Sequence, residues 1–248
     1  MGSVGEDLLL IAIGPRLGRI RHPDRIRFAL QGAELLELAH AGKVVVAPGR
    51  ARITRTGATP TGDRRLDQAL NRLGQSVSPP TLRSWLRATP RGFVNEYVSR
   101  LEQGKALRVD RAAGGSGSTV LRISRVDVAR RSAIRKRVEV VVAGAADPDP
   151  ADSMLVALIH ACGIQGRLFP GPTGLLARRR LAAHVLGPPP STTERPASKP
   201  HLELQELTAR LTAELRTPGS GPARDPHETL DYAPGRFENH GQDLGGGF

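Results

Sequence analysis

Residues 24–46 read DRIRFALQGAELLELAHAGKVVV, and this stretch decides the fold. Asp24 can accept hydrogen bonds from the free N–H groups of a first helical turn, and Gly42 can take the left-handed conformation that ends a helix. Between them Ile26, Ala29, Leu30, Ala33 and Leu36 recur at helical spacing, with Leu35 and Leu38 widening the apolar stripe. Arg27, Gln31 and Glu34 stand three and four residues apart on another face. Lys43-Val44-Val45-Val46 then switches to a short β-branched run. A helix that turns sharply into a strand is a packing unit, so the stretch marks a core and not a catalytic centre.

Working outward, Glu6 and Asp7 precede the apolar run Leu8–Ile13, which predicts a short buried helix. Leu17–His22 alternates Ile20 with arginines, as a short strand would. After Val46, a Pro48-Gly49 turn and Ala51-Arg52-Ile53-Thr54 predict a hairpin. Thr61 is placed to cap a helix over 62–73, and Thr81 a second one carrying Leu82, Trp85 and Leu86. A helix over 92–103 ends at Gly104. Leu107–Val109 and Thr119–Arg122 flank a Gly/Ser-rich tip at Ala112–Ser118 and read as a second hairpin. Asp127 caps a helix with the core stripe Ile134, Val138, Val141 and Val142, and with Arg130, Arg131, Arg135 and Arg137 on its other side. Met154–Ile164 is apolar enough for a buried helix, and Leu175–Val185 predicts a last one containing Arg178-Arg179-Arg180. From Gly187 the composition shifts to Pro, Ser, Thr and Gly. The expected division is therefore a folded domain over 1–186 and a largely disordered tail over 187–248, interrupted by one amphipathic helix near Leu202–Leu215.

A chain of 248 residues can bury an adequate core. Its 36 Lys+Arg against 24 Asp+Glu give a net charge of +12. Residues 187–248 carry six basic and nine acidic side chains, so the excess on residues 1–186 rises to +15. A basic folded part points to an anionic partner, either nucleic acid or an anionic membrane surface. An arginine-rich coding bias, with Ala, Gly and Pro also abundant, is the competing explanation. Cys162 is the single cysteine, which excludes an intramolecular disulfide and suits a reducing cytoplasm. No apolar run approaches the ~18 residues of a spanning helix. MGSVGEDLLL is acidic where a signal peptide is basic, and Glu6 stands where myristoylation requires Ser or Thr.

Enzyme motifs fail on inspection. Gly114–Ser118 lacks the last glycine of a nucleophile elbow and sits on a hairpin tip. Gly42-Lys43 is followed by valine and has no upstream glycine of a phosphate loop. His160 and Cys162 are two residues apart, about 200° around a helix, so they cannot share a metal and read as core. Asp63 and Asp67 lie one turn apart and read as capping or solvated acids. No nucleophile–base pair, cofactor motif or metal motif remains, and a non-enzymatic binding protein is expected.

Pro60-Thr-Gly-Asp-Arg-Arg-Leu-Asp-Gln-Ala-Leu70 resembles the Golgi phosphoprotein 3 family, whose members carry a similar Pro-Thr-Gly-Asp-x-x-Leu-Asp-x-Ala-Leu. Leu30-Gln-Gly-Ala-Glu-Leu-Leu-Glu-Leu38 followed by Gly42-Lys-Val resembles that family's Gly-x-x-Leu-x-Glu-Leu helix and strand. Thr81-Leu-x-x-Trp85-Leu is similar to its Thr-Val-x-x-Trp-Ile, and Met154–Cys162 to its late apolar helix. The likeness covers roughly residues 6–185 in the same order. It implies a mainly α domain: a central helical bundle ringed by amphipathic helices, with short β-hairpins. It also implies a peripheral membrane protein, cytoplasmic, that binds phosphatidylinositol 4-phosphate and acts as an adaptor for cytoplasmic tails of membrane proteins. Prokaryotic relatives in arginine-rich, high-GC genomes suit this composition better than a Golgi role.

Carried over residue by residue, the family's pocket tryptophan falls on His22 and its first pocket arginine on Gln31, while Arg91 keeps one of two further arginines and Val94 replaces the other. Arg25, with Arg21 and Arg87, could restore the charge. The expected phospholipid-binding set is thus His22, Arg25, Gln31 and Arg91, and the expected basic membrane patch is Arg130, Arg131 and Arg135. The family's hairpin, which dips into the bilayer and mediates oligomer contacts, corresponds to residues 107–122 and here has no large apolar residue at its tip. The family's C-terminal helices are expected to be shortened in favour of the proline-rich tail. A basic nucleic-acid-binding regulator is the alternative, opposed by 3% aromatic residues. An interaction module whose charge has no partner is the third.

Overall fold

Helix α2 (Pro23–His40) forms the axis of the fold. Ile26, Phe28, Ala29, Leu30, Ala33, Leu35, Leu36 and Leu38 are buried, and so are Gln31 and Glu34. A helix buried around its circumference needs neighbours on every side. In the computed structural model, which describes residues 2–14, 20, 23–47, 52–57, 59–90, 92–113, 119–144, 148–186 and 199–216, those neighbours come from both halves of the chain. α1 (Val4–Ala12), α7 (Pro150–Cys162) and α10 (Lys199–Arg216) pack along α2, and α3 (Arg64–Gly74), α4 (Leu82–Arg87) and α5 (Phe93–Gln103) meet its remaining flanks. α6 (Val128–Ala143) and α9 (Leu175–Leu186) lie against α7, and α8 (Gln165–Leu168) is a single turn between α7 and α9. The expected architecture is the observed one: mainly helical, with two short antiparallel strand pairs among the described residues.

The strands follow their turn chemistry. Gly42 closes α2 at φ +65°, and the chain enters β1 (Val44–Val46), which pairs with β2 (Ile53–Arg55) so that Val44 faces Arg55. β3 (Leu107–Ala113) pairs with β4 (Thr119–Val126), alternating Leu107, Val109, Ile123 and Val126 toward the core. Residues 114–118 of that hairpin's expected tip lie outside the described residues, as does most of the expected strand 17–22, from which only Ile20 is described, bridging to Ile13.

Several helix starts differ from the sequence expectation by a few residues. α1 begins at Val4 under a Ser3 cap, so Glu6 and Asp7 occupy its first turn instead of preceding it. α3 is capped by Asp63, whose carboxylate accepts from the Arg65 backbone N–H at 2.8 Å, and not by Thr61. Thr61 is instead bound through its N–H and hydroxyl by Asp67, at 2.6 and 2.8 Å, across Gly62 at φ +86°. Only glycine adopts that φ without strain, so the Thr61–Asp67 loop lock requires Gly62.

The largest difference is at the C-terminal side. The expected boundary at residue 186 does not separate α10 from the domain. Leu204, Leu207, Leu211 and Leu215 fall three and four residues apart, and all four join the main core against α2 and α7. Gly32 lets the two helices approach, since a Cβ there would stand 2.8 Å from a Leu211 methyl. Arg83 of α4 pairs with Glu214 at 3.0 Å, and Arg216 meets the His160 ring of α7 at 2.5 Å. Residues 187–198 and 217–248 of the expected tail lie outside the described residues. Leu211, 1% exposed, should therefore behave as a core residue: Leu211→Ala should lower the unfolding free energy by about 2–5 kcal/mol in a urea titration. A change within a few tenths would mean that α10 is only an appendage.

Candidate functional site

Of the four residues expected at the headgroup, His22 and Arg91 lie outside the described residues. Arg25 is exposed at the start of α2, beside the Gly163 turn that ends α7. Gln31 is 0% exposed, and neither its amide nitrogen nor its oxygen has a partner among the described residues. Arg25 and Gln31 are thus not on one surface. The reason is the burial of α2: the face that carries Arg27, Gln31 and Glu34 is covered by the bundle instead of reaching solvent.

Glu34, one turn beyond Gln31, is answered where Gln31 is not. Arg65 of α3 donates to its Oε1 through Nε at 3.0 Å and also through Nη2, and Arg72 approaches Oε2 at 3.4 Å. The Arg65 guanidinium stands 3.4 Å above the centre of the Tyr97 ring and 4.8 Å from that of Phe93, both on α5. Arg72 stands 5.1 Å over Trp85 of α4. Burial pushes the Glu34 carboxyl above its usual range while Arg65 and Arg72 pull it back, and burial pushes the Tyr97 hydroxyl well up. This is a packed ionic and cation–π centre, closed to substrate. Its sequence signal was a glutamate in an otherwise apolar helix, which demands a cation, but nothing in the spacing named Arg65.

Acids at the start of α1 bind the arginines of α5 and α6. Glu6 pairs with Arg100 at 3.1 Å and with Arg130 at 2.9 Å; Asp7 pairs with Arg130 at 3.4 Å and with Arg137, which also meets Asp152 at 3.4 Å. Arg130 therefore serves an internal clamp and departs from the expected outward patch. Arg135 is exposed and pairs with Glu139 one turn on, at 2.8 Å. The Arg131 side chain has no ion pair or hydrogen bond among the described residues, and lines a groove of about 310 Å³ with Ser132, Arg135 and Arg167. Ile11, Ile13 and Leu168 form its apolar floor. Arg167 is held in place by donating to the Ala12 carbonyl at 2.7 Å. Beyond α8 the first turn of α9 exposes Leu175 and Leu176, 46% and 58%, directly before Arg178, Arg179 and Arg180. No helix among the described residues is long and apolar enough to cross a membrane.

A family model described as Golgi phosphoprotein 3 (GPP34) matches residues 4–216, from the start of α1 to the end of α10. The chain belongs to the Golgi phosphoprotein 3 family. No curated protein matches it. Within this family member the motif Pro60–Leu70 is a folding device: Asp63 caps α3 and holds Arg100 of α5 at 2.8–2.9 Å, Asp67 locks the loop, and Ala69 and Leu70 are core. The Arg100 contact keeps the Asp63 carboxyl below its usual range, as the Thr61 bonds do for Asp67. His160 and Cys162 are both buried in α7; the His160 ring meets Arg216 and the Cys162 thiol lies toward the Arg25 carbonyl. Burial pushes that thiol up to about 12, which leaves it protonated.

Glu37 gives this part of the Golgi phosphoprotein 3 fold a pH dependence. Its carboxylate accepts the Val4 N–H at 2.5 Å, yet burial raises its pKa from 4.5 to about 7, with Asp63 and Glu34 adding to the rise and Arg65 opposing it. A raised carboxyl binds its proton more tightly when folded than unfolded, so its contribution to stability is present below pH ~4.5 and is lost as the pH rises to ~7. At about 1.4 kcal/mol per pKa unit the loss amounts to roughly 3 kcal/mol. Glu37→Gln, which keeps an acceptor for Val4, should raise Tm at pH 8 and change it little at pH 4.5. Equal shifts at both pH values would show that the carboxyl is not perturbed.

Proposed function

We propose that this Golgi phosphoprotein 3 family member is a non-enzymatic peripheral membrane protein that attaches to anionic phospholipid headgroups. The observation that carries the reading is the first turn of α9, where exposed Leu175 and Leu176 adjoin the arginine run 178–180. Apolar side chains that enter the headgroup region, flanked by arginines that stay among the phosphates, are the arrangement of an interfacial helix. The unpaired Arg131 and the excess of +15 on residues 1–186 support it. The family resemblance names phosphatidylinositol 4-phosphate as the headgroup, with His22, Arg25, Gln31 and Arg91 as its pocket and cytoplasmic tails of membrane proteins as clients. In this reading the protein works on the cytoplasmic side of a membrane, and the 107–122 hairpin joins copies of the chain.

Vesicle co-sedimentation tests the attachment. Full-length protein should bind vesicles of phosphatidylcholine with phosphatidylserine, and bind more tightly when phosphatidylinositol 4-phosphate replaces part of the serine lipid. Each basic residue near an anionic surface contributes ~1 kcal/mol, so Arg179→Glu with Arg180→Glu should weaken binding at least roughly tenfold. Leu175→Ser with Leu176→Ser should weaken it at high salt as well as low. Unchanged partitioning of both double variants would overturn the reading. Gln31→Met tests the pocket separately: removal of an unpartnered buried amide should leave stability equal or raise it by about 1 kcal/mol. Loss of the phosphatidylinositol 4-phosphate preference in that stable variant would place Gln31 at the headgroup, and its retention would remove Gln31 from the set.

A further inference from the structure

We propose that the uncharged turn Pro170–Leu176 between α8 and α9 is a pre-formed wedge that enters the headgroup layer as one piece, and that Arg178 is the positioning residue that holds its shape. The inference rests on the attachment reading of α9 and extends it from two leucines to a whole turn. From Leu168 to Ala177 the chain carries no charged side chain, and arginines stand on either side, at 167 and at 178–180. Pro170, Gly171, Pro172 and Thr173 are exposed, as are Leu175 and Leu176. Phe169 and Leu181 are buried and root the turn in the core. An uncharged projection with cations at its base suits a membrane, which is apolar within and anionic at its surface.

The turn has its shape before any lipid arrives. Pro170 and Pro172 fix their own φ on either side of Gly171, which sits at φ +70°, a conformation glycine adopts without strain. Gly174 has no room for a side chain, since a Cβ there would stand 2.3 Å from the Phe169 carbonyl oxygen. The Leu175 N–H donates to the Pro172 carbonyl at 3.0 Å, and the Arg178 N–H to the Gly174 carbonyl at 3.0 Å. The Arg178 guanidinium reaches back over the turn and donates to the Gly171 carbonyl at 2.9 Å. It also lies 3.8 Å from where a Cβ on Gly166 of α8 would stand. One side chain thus ties α8, the turn and α9 together. Its bond is to a neutral carbonyl, so the guanidinium keeps its full charge while it latches. A turn already ordered loses little conformational freedom on insertion, and each residue set free again costs roughly tenfold in affinity.

Full-length protein and vesicles of phosphatidylcholine with phosphatidylserine test the wedge. Thr173→Trp places a fluorescent reporter at its tip, against the constant background of the single, buried Trp85. The reporter's emission should shift to the blue on protein that has bound vesicles. Emission that stays at the position of a water-exposed indole would overturn the wedge. Arg178→Lys keeps the charge but lacks the planar fork that spans Gly166 and Gly171. It should weaken vesicle binding roughly tenfold, with Tm and the slope of affinity against salt unchanged. Gly174→Ala, which alters no charge, should weaken binding at least as much. Parental affinity in both variants would overturn the role of Arg178. Hydrogen exchange gives a readout without lipid: the Leu175 amide should exchange at least roughly tenfold faster in Arg178→Lys than in the parent, and equal rates would count against the latch. Leu175→Ser with Leu176→Ser separates this inference from the reading beneath it. If that pair weakens binding while the Thr173→Trp reporter stays in water, the wedge alone fails. If that pair binds as the parent does, the attachment reading fails and takes the wedge with it.

Discussion

The carboxylate of Glu34 sits midway along a helix that other helices cover on every side, and a charge in that position must be answered by a cation held just as firmly. Arg65 answers it from α3, and is itself held in place by Tyr97 and Phe93 of α5. Arg72 closes the far side and carries the contact on to Trp85 of α4. One buried charge thereby fixes three helices around a fourth. Taking away either member of such a pair typically costs 3–5 kcal/mol, because the survivor stays buried without compensation. Gln31 is the exception on the same face. Its amide is uncharged, so the bundle tolerates its unmet hydrogen bonds at about 1–3 kcal/mol, whereas an arginine there would need a counter-charge.

The same rule sorts the arginines. A net charge of +12 says how many cations exceed the acids, not where they stand. Acids concentrated at the start of α1 hold Arg100, Arg130 and Arg137, and these pairs join α1 to α5 and α6. Among the described residues, Arg131 of α6 and Arg178, Arg179 and Arg180 of α9 are among the arginines that no acid pairs. The basic surface is therefore a remainder left by internal pairing, smaller than the sequence count suggests.

This sorting also explains how much could be read in the sequence. The α2–β1 unit, the caps at Thr81 and Asp127, both hairpins and the Ile134–Val142 stripe were legible, because each rests on contacts a few residues apart. Polar partners were not: Glu34 and Arg65 are 31 residues apart, and Glu6 and Arg130 are 124 apart. Helix α10 was visible as an amphipathic stretch, yet the proline-rich composition before it suggested a tail. Composition reports whether a segment can pack alone, whereas Leu204, Leu207, Leu211 and Leu215 pack on a face that α2 and α7 already offer. Of the candidate site, Arg131 and Arg135 were legible as surface arginines. Their convergence with Arg167 depends on the α7–α8 turn and had no sequence signal.

Magnitudes then constrain how such a surface could hold a membrane. A fully buried leucine is worth about 1.5–3 kcal/mol, and Leu175 and Leu176 have only their exposed halves left to bury, so together they supply roughly 2 kcal/mol. The three arginines that follow add ~1 kcal/mol each near an anionic surface, and salt weakens that share. A total near 5 kcal/mol corresponds to a dissociation constant of about 0.2 mM, an attachment that is reversible and barely selective among anionic lipids. Selectivity must come from a site with directional donors, since charge and apolar area do not distinguish one headgroup from another. In the proposed reading the interfacial turn of α9 provides residence, and the headgroup residues provide the choice. A change in those residues should then alter selectivity, and a change in α9 should alter occupancy.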